Sequence, residues 1–63
     1  MMFIKLTKPN SSEIYLLASM IYKIEEKEGL RAVYYRRFGE NGGFDYVVET
    51  SDEIIEKIKE VEK

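Results

Sequence analysis

Between positions 31 and 38 the chain reads Arg-Ala-Val-Tyr-Tyr-Arg-Arg-Phe, a concentration of rings and guanidinium groups in a short span. Rings on a sheet surface stack on nucleobases, and arginine holds phosphate or stacks in turn. Tyr34, Tyr35, Arg36, Arg37 and Phe38 therefore form a candidate interaction surface, extended by Arg31, by Lys23 upstream and by Phe44 beyond the next turn. Strand alternation divides it: Tyr34 and Arg36 face one side, Tyr35 and Arg37 the other. Asp45 and Glu49 follow on the next segment and oppose phosphate. A small sheet also uses Tyr, Val and Phe for ordinary packing. Packing is thus the first expectation for this stretch, and nucleic-acid binding its rival.

Other chemistry finds less support. Gly39-Glu40-Asn41-Gly42-Gly43 has neither the Lys-Ser/Thr pair of a P-loop nor a helix directly after it, so it reads as turn chemistry. Glu25, Glu26 and Glu28 flank a predicted bend with Lys27 and read as a solvated surface, not as an acid–base pair. Glu40, Asn41 and Asp45 make no EF-hand pattern. The chain has no His and no Cys, which removes the usual transition-metal ligands and the Ser-His and Cys-His nucleophile pairs. No catalytic residue, metal or cofactor is expected.

The elements that must position the aromatic stretch follow from periodicity. The 63 residues make a single domain, 1–63. Residues 2–8 alternate, with Met2, Ile4 and Leu6 on one face. Pro9, Asn10, Ser11 and Ser12 supply a turn, and 13–17 return as the second strand of a hairpin. A tight connection at 18–20 leads to a third strand at 21–26, with a one-turn helix across 18–21 as the rival. Gly29 suits a turn with positive φ. A fourth strand spans 30–38, a five-residue loop 39–43, and a fifth strand 44–50 with Phe44, Tyr46 and Val48 on one side. Thr50 and Glu53 match a capping box, and Ile54, Ile55, Ile58 and Val61 form an apolar stripe on a C-terminal helix. The fold class is α+β: a small antiparallel β-sheet or partly open barrel of about five strands with one C-terminal helix. The expected core is Ile4, Leu6, Ile14 or Tyr15, Leu16, Ile24, Val33, Tyr46, Val48, Ile54, Ile55 and Ile58.

Charge is unevenly spread. Residues 1–38 carry seven basic and four acidic side chains, an excess of +3; residues 39–63 carry three and eight, an excess of −5, and together these give the net −2. This suggests two electrostatically different faces. The N-terminal segment is broken by Lys5 and Lys8 and is not expected to be a signal peptide, and no stretch is long and apolar enough for a membrane span. A cytoplasmic protein is the expectation.

The order of features carries a resemblance. Lys5-Leu6-Thr7, Asn10, Glu13-Ile14-Tyr15-Leu16, Ile21 and Ile24-Glu25-Glu26 are followed by a glycine-containing hairpin. Tyr46-Val47-Val48-Glu49-Thr50 and Glu53-Ile54-Ile55-Glu56-Lys57-Ile58 complete the series. The chain resembles, over nearly its whole length, the small FlbD-type flagellar and swarming-motility proteins of bacteria. Family members have Asn-Gly at the first turn and Asn after the Tyr-Leu pair, where this chain has Ser11 and Leu17. The resemblance implies association with motility and no catalytic residue. The expected function is a non-enzymatic protein-interaction module whose partner is another protein or a second copy in a homodimer. The alternatives are a nucleic-acid-binding regulator using Lys5, Lys23, Arg31, Arg36 and Arg37, and an accessory subunit of an enzyme complex.

Overall fold

Residues 2–37 and 40–62 are described by a computed structural model, with the backbone alone at Arg37, Glu40 and Asn41. Alternation sets the first hairpin. Along β1 (Phe3–Thr7) Ile4 and Leu6 are buried while Phe3 and Lys5 face out. β2 (Glu13–Leu17) runs antiparallel to it, with Leu16 opposite Ile4 and Ile14 opposite Leu6. In the connecting turn the Asn10 side-chain oxygen accepts from the Ser12 amide at 3.0 Å and the Ser12 hydroxyl at 2.6 Å, the local bonding that favours Asn in turns. Ser11 takes φ 73, a left-handed conformation most easily adopted by Gly.

The connection expected at 18–20 is one 3-10 turn, Ala18–Met20, with Ala18 buried. It delivers the chain into β3 (Ile21–Lys27), which pairs with β4 (Leu30–Arg37). Lys27 stands opposite Leu30, and the two residues between them, Glu28 and Gly29, have φ of 50 and 82. Positive φ at both centres is the tight hairpin turn whose twist matches the flanking strands.

The five-residue loop expected over 39–43 is corrected. β5 (Glu40–Val47) already begins at Glu40, with Arg37 opposite Glu40 and Tyr35 opposite Gly43 across a register shift. Gly42 and Gly43 belong to the strand, and the two backbones approach closely there: a Cβ on Gly42 would run into the Tyr35 carbonyl oxygen. Gly42→Ala should therefore cost about 2 kcal/mol, since main chain must move to admit the methyl group. Gly29→Ala meets no atom within 4 Å and should cost only the ~1 kcal/mol of its left-handed backbone. Urea unfolding of the two variants checks the order; equal midpoints would remove the close approach as the reason for Gly42.

β1 and β2 form one sheet, β3, β4 and β5 the other, all neighbours antiparallel, and among the described residues the strands make no closed barrel. The sheets meet where β5 ends: the Val48 amide donates to the Thr7 carbonyl at 2.9 Å. The Glu49 carboxylate accepts from the Thr7 amide at 2.9 and 3.0 Å and from the Thr7 hydroxyl at 2.9 Å. The fifth strand, expected to run to 50, stops at Val47 because this junction claims the next two residues.

Thr50 caps α1 (Ser51–Val61) with both halves of the capping box. Its hydroxyl accepts from the Glu53 amide at 3.2 Å, and the Glu53 carboxylate accepts from the Thr50 amide at 3.0 Å. The latter bond is the first cause holding the Glu53 carboxyl below its ordinary range. Ile54 is fully buried, and Ile58 and Val61 pack against the same cluster as Ile4, Leu6, Ala18, Val33 and Val47. Half-buried Ile14, Leu16, Ile21 and Ile24 complete the packing.

Of the pair Ile14 or Tyr15, Ile14 packs against the core and Tyr15 faces out. Three members of the expected core are corrected: Tyr46, Val48 and Ile55 are exposed, and Val47, Ala18, Ala32 and Tyr35 are buried instead. Ile55 lies one helical step, about 100°, beyond Ile54, off the stripe that 54, 58 and 61 make. Tyr46 on β5 and Val48 just beyond its end face outward, since Val47 between them points inward. Among the described residues no helix is long and apolar enough to cross a membrane.

Candidate functional site

The three-stranded sheet carries charged side chains among the core residues of its inner face and rings on its outer face. On the inner face, with Val33 and Val47, stand Tyr35, Asp45 and Arg31. On the outer face stand the rings. The charged inner residues are satisfied in place. The Tyr35 hydroxyl donates to Asp45 at 2.7 Å, and Lys8 approaches the same carboxylate at 3.7 Å. The Arg31 side chain, 12% exposed, donates from Nε to the Glu49 carbonyl at 2.6 Å and from Nη2 to the Val48 carbonyl. Its Nη1 lies 3.5 Å from Glu26, which also accepts from the Ser51 hydroxyl.

Outside, a row of rings crosses all three strands. Tyr34 on β4 stands opposite Phe44 on β5, with ring centroids 5.2 Å apart. Phe44 meets Tyr46, two residues along, edge to face at 5.5 Å. On β3 a register shift between Ile21 and Lys23 sets both Tyr22 and Lys23 against Tyr34. This bulge turns Tyr22 outward, 6.3 Å from the Tyr34 ring. Tyr22, Phe44 and Tyr46 remain 55%, 48% and 38% exposed, so the rings cover one another and little else covers them. Such tilted and edge-on pairs are the favoured ring geometries.

Two cations border the row. The Lys23 ammonium lies 4.6 Å from the Tyr34 ring centre and 3.7 Å from Glu25. The Arg36 guanidinium lies 5.2 Å from the Tyr22 ring centre. Both distances suit attraction between a cation and a ring face. The Tyr34 hydroxyl donates to Glu25 at 3.2 Å. Desolvation by its neighbours, then the bond to Glu25, raises its pKa above the usual tyrosine value.

Of the residues singled out in the sequence, Tyr34, Arg36, Phe44 and Lys23 come together here. Tyr35 and Arg31 lie on the opposite face, engaged as described. Phe38 lies outside the described residues, as does the side chain of Arg37. Tyr22 and Tyr46 are the members that sequence reasoning missed. Tyr46 could have been found from its spacing of two from Phe44, whereas Tyr22 depends on the bulge. Arg36 also borders a shallow groove of about 250 Å3 lined by Phe3, Tyr15, Leu17 and Met20, where the outer face of the first hairpin is apolar. Among the described residues no group of three or more His, Cys, Asp or Glu could hold a metal ion.

The molecule is thus a small α+β domain of two antiparallel sheets and a C-terminal helix, carrying an exposed aromatic face edged by cations. No protein-family model matches the chain, and comparisons with curated proteins and with solved structures found no match.

Proposed function

We propose that this protein is a non-enzymatic interaction module that docks a protein partner through the aromatic face of its three-stranded sheet. The observation that carries the reading is the row Tyr22, Tyr34, Phe44 and Tyr46 outside the core, with Tyr34 half-buried at its centre and the other three exposed. Rings of this kind cover on the order of 200 Å2 each, so the row leaves a patch of roughly 300–400 Å2. That is the size of the largest apolar patch on a typical monomer, which is often a functional one. Tyr is also favoured at the energetic centres of interfaces, and the bordering Lys23 and Arg36 select a partner with carboxylates. The resemblance to FlbD-type proteins supports a partner within the bacterial motility apparatus.

The test is capture on the immobilised chain. The wild type should retain a defined protein, with Tyr22→Ser/Phe44→Ser losing it about tenfold or more and the helix-surface variant Glu56→Gln retaining it. Retention of the same protein by all three would remove the aromatic face from the function.

A second reading, binding of single-stranded nucleic acid, is favoured by one observation. Asp45 and Glu49, which oppose phosphate in the sequence, are turned inward and engaged by Tyr35, Lys8 and Thr7. Fluorescence anisotropy with a single-stranded oligonucleotide decides between the two. Binding that weakens with salt and disappears in Arg36→Ala would replace the protein partner with nucleic acid.

A further inference from the structure

β3 is an edge strand. It pairs with β4 on one side, and no described strand lies along the other. Its outward side chains Lys23 and Glu25 are half exposed and loosely paired at 3.7 Å. An unpaired edge is a template for another strand, which proteins usually blunt with charge. Here the charges are arranged to be complementary to themselves.

We infer that the protein forms a homodimer by antiparallel pairing of β3 with β3 of a second copy, centred on Ile24. This rests on the reading of the chain as an interaction module and names a second copy as one partner. A twofold axis normal to the sheet relates two antiparallel edge strands and sets side chains of one face against the same face of the partner strand. The ladder is regular from Lys23 to Lys27, beyond the bulge at Tyr22. Centring the axis on Lys23, Glu25, Glu26 or Lys27 sets that charge directly against its own copy. Centring it on Glu25 also sets Lys23 against Lys27. Only Ile24 in this stretch places an apolar side chain on the axis. It then brings Lys23 of each copy opposite Glu25 of the other, two favourable cross-strand pairs on one face.

The other edges do not offer this. β2 (Glu13–Leu17) centred on Tyr15 sets Glu13 against Leu17, with no cation to answer it. β5 leads directly into the bond between Val48 and Thr7, and its Asp45 is held by Lys8. Pairing through β3 would join two three-stranded sheets into one of six strands. Both aromatic rows would then lie on a single face, which doubles the docking surface without covering it.

Sedimentation of the full chain over a concentration series tests the dimer, and charge exchange tests its register. The wild type should pass from monomer to dimer as concentration rises. Lys23→Glu and Glu25→Lys should each weaken the dimer about tenfold or more, because each sets like charges opposite one another twice. The double variant Lys23→Glu/Glu25→Lys should associate like the wild type. An equimolar mixture of the two single variants should form a heterodimer, since the two carboxylates of the first chain then meet the two ammonium groups of the second. Thermal unfolding of each variant confirms that it is folded. A wild type that stays monomeric, single variants that dimerise unchanged, or a mixture that remains monomeric would each overturn the inference. Capture of another protein by the aromatic face is read separately, with Tyr22→Ser/Phe44→Ser, whose loss of capture leaves the Lys23–Glu25 register of the dimer in place.

Discussion

Ile54→Ala should lower stability by about 3 kcal/mol and release the helix before the sheets. Ile54 is fully buried within the cluster of Ile4, Leu6, Val33 and Val47, and it is the only buried residue of the helix. Shortening it leaves a cavity that the surrounding strands, fixed by their own ladders, fill incompletely. A domain of 63 residues has a total stability of roughly 3–9 kcal/mol, so this one substitution removes a large share. An isolated helix of 11 residues does not persist in water, so loss of docking becomes loss of helix. The control is its neighbour: Ile55 is exposed, and Ile55→Ala should change stability by no more than about 0.5 kcal/mol. Urea unfolding followed by far-ultraviolet circular dichroism gives both values. If the two variants were equally destabilised, the helix would not be held by the face described.

Local chemistry is what the sequence disclosed best. The alternation of Ile4 and Leu6, the Asn10 turn, Gly29 and the Thr50–Glu53 cap each depend on a few adjacent residues, and each is in place. What could not be read is sidedness. Of the apolar face of Phe44, Tyr46 and Val48, the pattern sends Tyr46 and Val48 into the core, yet both face out with Phe44. The inner face carries Asp45, and Glu49 lies in the junction just beyond. They are satisfied by Tyr35, Lys8 and Thr7, partners 10 to 42 residues away that no local pattern reveals. The same limit hid Tyr22: a strand with one extra residue turns a side chain over, and nothing in Ile21-Tyr22-Lys23 announces it.

That sidedness explains the composition of the aromatic stretch. Alternation sends Tyr35 inward, where its hydroxyl finds Asp45, and Tyr34 outward, where its ring finds Phe44. Doubling the tyrosine therefore serves two different surfaces with adjacent residues. The arginines divide similarly: Arg31 is used by the fold and Arg36 is available on the face.

Arg31→Ala should cost about 3 kcal/mol in stability, whereas Arg36→Ala should cost no more than about 0.5 kcal/mol and act on binding alone. The difference lies in what each guanidinium touches. Arg31 satisfies the carbonyls of Val48 and Glu49, the two residues that carry the chain from β5 into the helix cap and bond to Thr7 of β1. Hydrogen bonds from a charged donor contribute about 1.5–3 kcal/mol each, and removing the donor leaves the part-buried Glu49 carbonyl without it, while the exposed Val48 carbonyl turns to water. The ion pair with Glu26 adds little, since that carboxylate is 64% exposed and such pairs contribute about 0–1 kcal/mol. Arg31→Lys separates these contributions. It keeps the charge near Glu26 but has no planar fork to reach two carbonyls at once, so it should lose about 2 kcal/mol. Glu26→Gln should lose no more than about 0.5 kcal/mol. Urea unfolding ranks the variants, and hydrogen exchange should show the Val48 amide exposed first in Arg31→Lys. An Arg31→Lys chain as stable as the wild type would mean that the ion pair, and not the bridging of two backbone carbonyls, holds the sheets and helix together at this corner.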